Sequence, residues 1–165
     1  MIEKETPIAI LFVCLGNICR SPTAEAVFRA RARKRGLAGR IRIDSAGTGD
    51  WHIGQAPDQR AQTAAIKHGY RLSDLRARQV SAKDFARFDY ILAMDNANLA
   101  DLRALNPGDG RAKVMRFLDI MEQEPEEVPD PYHGEADNFD RVLDLIEQGC
   151  DRWLDRLAEH RNDGQ

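Results

Sequence analysis

Residues Ile8 to Cys14 read IAILFVC, an apolar run without a break. A strand of that kind has no wet face, so it belongs inside a sheet covered on both sides, as in parallel α/β folds. The chain then turns sharply into a helix. Ser21-Pro22 offers a capping hydroxyl followed by a proline whose fixed φ suits the first helical position. Glu25 is expected in the first turn, where a carboxylate complements the helix dipole. Ala24, Val27 and Phe28 share a face, and Gly36 ends the helix.

Strand and helix signals go on alternating. Ile41 to Ser45 reads as a second strand, and the segment from Pro57-Asp58 to Gly69 as a helix. A short helical turn in SAKDFARF precedes a third strand, Tyr90 to Met94. Asp95 caps a helix that runs to about Leu105, and KVMRFL is a fourth strand candidate. An acidic, proline-rich loop follows, and an amphipathic helix from Phe139 to Leu157 closes the chain. This order predicts one α/β domain over residues 1–165, with short flexible ends, built as a parallel sheet with helices on both sides. Ligands in such folds sit beyond the carboxyl ends of the strands, where Cys14 stands.

The totals narrow the partners. With 165 residues, 42% hydrophobic and 31% charged, the chain is long and apolar enough to bury a core. A net charge of −3 argues against general affinity for nucleic acid or anionic membrane. No stretch approaches the roughly 18 apolar residues of a membrane span. The opening MIEKETP, mixed in charge, does not read as a secretion signal. Three cysteines make no disulfide framework, so a cytoplasmic location is expected.

Five residues separate Cys14 from Arg20. A loop of that length between strand and helix can turn successive backbone N–H groups inward as an anion nest. Gly16 and Asn17 are residue types that tolerate left-handed backbone angles. Arg20 can grip two phosphate oxygens with its planar fork, and the same positive groups favour a negative, nucleophilic sulfur at Cys14. Ser21 can donate a hydrogen bond to that sulfur when it leaves. The bland reading is a cysteine that merely packs at the end of a buried strand. Zinc fits poorly, since only His52 and His133 offer further ligands and neither has ligand spacing with the cysteines. A nucleotide P-loop lacks its Gly-Lys-Ser/Thr.

VCLGNICRSPTAEAVF, followed much later by DPYHG, resembles the low-molecular-weight protein tyrosine phosphatases. The likeness extends from about Ile8 to about Leu157 and includes DSAGT, ARQ and FDYILAMD. It implies a four-stranded parallel sheet and phosphotyrosine hydrolysis without metal or organic cofactor. Cys14 would form a phosphocysteine, and Arg20 would bind the phosphoryl oxygens within the loop of Leu15, Gly16, Asn17, Ile18, Cys19 and Ser21. Asp130 would protonate the leaving oxygen and later activate water; Asn17 and Ser45 would hold the loop's shape. Substrates would be phosphotyrosine-bearing proteins or small aryl phosphates, met by a monomer or weak homo-oligomer.

Asp130 also stands on its chemistry, because departure of a phenoxide needs a proton donor and the rival reading is an acidic surface connector. The resemblance favours Trp51 and Tyr132 as walls of a slot for the phosphorylated ring. Apolar Ile18 fits an aryl phosphate, whereas the family's arginine phosphatases carry threonine there. The resemblance also suggests Cys19 as a redox partner that traps oxidised Cys14 as a disulfide; Cys150 reads as packing. Two departures stand out. Leu75 occupies the place of a histidine that often contacts the loop serine, and His133 that of a second tyrosine. The basic run Arg29 to Arg35 reads as a solvated face rather than a docking patch. Competing functions are arsenate reduction, which needs cysteines absent between Cys19 and Cys150, and a redox-regulated phosphate-binding module.

Overall fold

The central strand is the apolar run itself. β1 (Ile8–Cys14) lies between β2 (Ile41–Gly47) and β3 (Tyr90–Ala93), with β4 (Lys113–Arg116) beyond β3. The order is β2-β1-β3-β4, which the sequence leaves open; every pairing is parallel, as the sequence predicts. The computed structural model describes residues 6–163; the readings of a non-secretory opening and of flexible ends fall largely outside them.

Strand periodicity splits the core in two. Ile10, Phe12 and Cys14 point to the layer of α1 (Arg20–Lys34), α2 (Gln59–Lys67) and α5 (Ala136–Asp163). Ala9, Leu11 and Val13 point to the opposite layer of α3 (Asp84–Arg87) and α4 (Asn96–Leu105). Phe12 meets Phe28 of α1 and Phe117 at ring-centroid distances of 5.4 and 5.7 Å. Trp153 of α5, fully buried, donates from Nε1 to the Phe117 carbonyl at 2.8 Å.

From β1 the chain crosses to β2 on one side, while β3 leads to β4 on the other. The strand order therefore reverses between β1 and β3, and a crevice opens at their carboxyl ends. Both strands deliver side chains there: β1 ends in Cys14, and Asp95 follows β3 after Met94.

Several local expectations are corrected. The helix starts at Arg20 with Cys19 before it, and Ser21 caps nothing, because its hydroxyl is engaged by Asn17 and Cys14. Glu25 lies beyond the first turn and is buried against Ser45 and Arg29. β4 stops at Arg116, where Phe117–Ile120 wind into a 3-10 turn that tucks Phe117 into the core. The last helix runs longer at both ends, Ala136–Asp163. The basic run finds acidic partners within the chain: Arg31 pairs with Glu147 and Asp151, and Arg35 with Asp155, all at 2.7 Å on α5.

Candidate active site

The turn after β1 is held from outside by its carbonyls. Those of Cys14 and Leu15 accept from the N–H groups of Thr48 and Gly49 at 2.9 and 2.8 Å, and that of Ile18 from Asp58 at 2.8 Å. In a trans peptide the carbonyl and the following N–H point opposite ways. The N–H groups of Leu15, Gly16 and Cys19 are therefore turned to the inside of the loop, the nest expected of an anion site. Asn17 takes the left-handed backbone, φ 56°. Gly16 does not. Its lack of a side chain serves close approach instead, since a Cβ there would stand 2.9 Å from the His52 ring. Gly47 matters likewise, because a Cβ would come within 2.7 Å of the Leu15 carbonyl.

Asn17 and Ser45 are hydrogen-bonded to each other beside the loop. The Asn17 oxygen accepts from the Arg78 backbone N–H at 3.0 Å, and its amide nitrogen donates to Ser21 Oγ at 2.8 Å and Ser45 Oγ at 3.0 Å. Ser21 Oγ lies 3.0 Å from Cys14 Sγ. Asn17 thus orients Ser21, while Leu75 is partly buried and packs on the core.

Arg20 is 2% exposed and its charge is heavily partnered. One terminal nitrogen donates to Asp95 at 2.6 Å and to the Val128 carbonyl at 3.0 Å; the other stands 3.6 Å from Asp130. Burial works against that charge, but Cys14, Asp95 and Asp130 outweigh it and hold the guanidinium above its usual basicity. Asp130 accepts from the Tyr132 N–H at 3.1 Å, which aims the carboxyl from the acidic loop toward Arg20. Cys19 is buried beside the loop; burial first, then Asp58, Cys14 and Asp130, raise its thiol well above the usual range. Cys150 is fully buried against the Ala24 carbonyl, far along the chain from this cluster.

Cys14, Arg20, Asp130, Trp51 and Tyr132 line one cavity of about 200 Å³. Ile18 and Cys19 line it too. Trp51, 67% exposed, lies over Gly49 at the mouth, and Tyr132, 38% exposed, faces His133 edge-on at 4.9 Å. Arg60 clamps the Tyr132 side, donating to the Tyr132 carbonyl at 2.9 Å with its guanidinium 5.6 Å from that ring. Among the described residues no group of three or more histidine, cysteine or acidic side chains is placed to hold a metal ion.

Sequence reasoning missed three residues here. Asp95 does cap α4, accepting from the Asn98 N–H at 2.8 Å, but its other oxygen grips Arg20. Its only signal was its place at the end of a strand beside β1. His52 and His133, weighed only as metal ligands or as a lost tyrosine, line the cavity. Nothing local marked them.

Residues 9–163 match the family described as "Low molecular weight phosphotyrosine protein phosphatase". The Bacillus subtilis low molecular weight protein-tyrosine-phosphatase YfkJ is 44% identical over 155 residues, 93% of this chain and 98% of its own. Its crystal structure covers 96% of this chain and 99% of its own at a TM-score of 0.89. A protein tyrosine phosphatase from Entamoeba histolytica, with Hepes in its active site, gives a TM-score of 0.88 at 39% identity, covering 93% of this chain and 99% of its own. The Drosophila arginine phosphatase is similar as well, with a TM-score of 0.84, 35% identity and coverage of 90% and 96%. Sequence, sheet order and the loop after β1 therefore agree: the chain belongs to the low molecular weight protein-tyrosine-phosphatase family and is a cysteine-dependent phosphotyrosine phosphatase.

Proposed function

We propose that Cys14 is the nucleophile, Arg20 the phosphoryl clamp and Asp130 the general acid and base of this phosphatase. The Cys14 thiolate attacks phosphorus in line, the bond from phosphorus to the aryl oxygen breaks, and Asp130 gives that oxygen its proton. Water then attacks the phosphocysteine while the Asp130 carboxylate takes a proton from it. The sulfur–phosphorus bond breaks, and the Ser21 hydroxyl donates to the departing sulfur. Inward N–H groups and Arg20 bind the charge that spreads over the equatorial oxygens throughout.

The convergence of Cys14, Arg20 and Asp130 on one cavity carries this reading. Trp51, Tyr132 and Ile18 supply apolar walls, which suit the flat ring of phosphotyrosine or a small aryl phosphate better than a charged guanidine. We also infer a redox role for Cys19: peroxide oxidises the Cys14 thiolate to a sulfenic acid, and the Cys19 thiol displaces water to form a disulfide. Three free thiols suit a reducing compartment, hence the cytoplasm.

Hydrolysis of p-nitrophenyl phosphate tests the assignment, with no metal added and chelator present. Cys14→Ser should abolish turnover yet still bind phosphate analogues; a Cys14→Ser enzyme that turns over removes the nucleophile. Peroxide inactivation should be reversed by dithiothreitol in the native chain and less fully after Cys19→Ser; equal recovery in both would remove the redox role.

A further inference from the structure

Glu25 is a buried carboxylate that none of the steps above uses. It is 5% exposed on α1, with one oxygen 2.7 Å from Ser45 Oγ and the other 2.9 Å from Arg29. Burial raises its carboxyl above the usual range, and Ser45 and Arg29 draw it back only in part. A charge in such a place is costly unless its partners are fixed, so what fixes it is informative.

From Ser45 a continuous chain of hydrogen bonds leads to the sulfur. Ser45 Oγ accepts from Asn17, the same amide nitrogen donates to Ser21 Oγ, and Ser21 Oγ stands 3.0 Å from Cys14 Sγ. Both ends of the chain fix its direction. The Arg78 backbone N–H can only donate, so the Asn17 oxygen must face it and the amide nitrogen must face the two hydroxyls. A carboxylate can only accept, so Ser45 must give its proton to Glu25. Ser21, already accepting from Asn17, keeps its own proton to give. The sulfur at 3.0 Å is nearer to it than the Ala46 carbonyl at 3.4 Å.

We propose that Glu25 is a positioning residue, which together with the Arg78 N–H at the other end sets, through Ser45, Asn17 and Ser21, the direction of the hydrogen bond that ends on Cys14. This rests on Cys14 being the nucleophile. A donor aimed at sulfur helps the step in which sulfur leaves as an anion, breakdown of the phosphocysteine. It does not help the attack, which consumes that anion. Loss of Glu25 should therefore slow breakdown and spare formation, whereas general damage to the loop would slow both.

Steady-state and stopped-flow hydrolysis of p-nitrophenyl phosphate by Glu25→Ala, alone and with Ser21→Ala, tests this. In folded Glu25→Ala, kcat should fall about tenfold with kcat/KM changed by less than about threefold, and a burst of p-nitrophenolate should appear. Glu25→Gln, whose amide oxygen can still accept from Ser45, should recover most of the loss. With Ser21 already removed, Glu25→Ala should cost less than about twofold more. An unchanged kcat, a parallel fall in kcat/KM, or losses that multiply with Ser21→Ala would each overturn the proposal. If Glu25→Ala does not fold, Ser45→Ala cuts the same chain one link closer and must give the same pattern. Turnover by Cys14→Ser would overturn the nucleophile instead, a separate result.

Discussion

Arg20 shows how much one side chain depends on its surroundings. A guanidinium aimed at a tetrahedral anion must not swing, and Asp95 at 2.6 Å with the Val128 carbonyl at 3.0 Å removes that freedom. Asp95 therefore has two jobs, which substitution can separate. Asparagine keeps the α4 cap and loses the charge. Asp95→Asn should lower kcat/KM for aryl phosphates about tenfold, with unfolding free energy within about 0.5 kcal/mol of the native chain. Asp95→Ala should show the same kinetic loss and cost about 1 kcal/mol besides, read from urea titration. Equal kinetics in Asp95→Asn and the native chain would remove the ion pair from catalysis. For Asp130→Ala the expected loss of kcat is about 10²–10⁴, steepest for substrates with poor leaving groups. At this scale the sequence marked Cys14, Arg20 and Asn17 through spacing and residue type. It was silent on the second oxygen of Asp95.

Among the elements, α2 ties the acid loop to the phosphate loop. Asp58 caps it, accepting from the Arg60 N–H at 2.8 Å and pairing with the Arg60 guanidinium, while the Asp58 N–H holds the Ile18 carbonyl. Arg60 in turn holds the Tyr132 carbonyl. Burial would raise the Asp58 carboxyl, yet the bonds from Arg60 win and place it below the usual range. The folded state thus favours the ionised form. Its stabilisation is complete above the unfolded carboxylate pKa of about 3.9 and fades as pH falls through the lower folded value. Asp58→Ala should cost about 1 kcal/mol at pH 7, and the gap from the native chain should close as urea midpoints are followed below about pH 4. A gap constant down to pH 3 contradicts this. Element boundaries were the least legible feature. Where KVMRFL leaves the sheet was decided by the pocket for Phe117 between Phe12 and Gly149 of α5, which no local pattern encodes.

Across the whole molecule, β1 couples the two cores, because its alternate side chains belong to opposite layers. Neither layer can open without exposing the strand that carries Cys14. Unfolding followed by far-UV circular dichroism and by fluorescence of buried Trp153 should give coincident urea transitions. Separate midpoints would mean that the layers unfold independently. Arsenate reduction loses its footing at this scale too, since the third cysteine is sealed under α1. By itself, the sequence determined β1 and the seven-residue loop from Cys14 to Arg20. These are matters of residue type and of spacing within a few bonds, which the chain carries wherever it folds. The tertiary structure alone decided that Asp95, 75 residues from Arg20, would steady it, and that Glu25 and Ser45 would meet behind the loop. Those meetings follow from parallel register and from which helix covers which face, and only the packed sheet sets them.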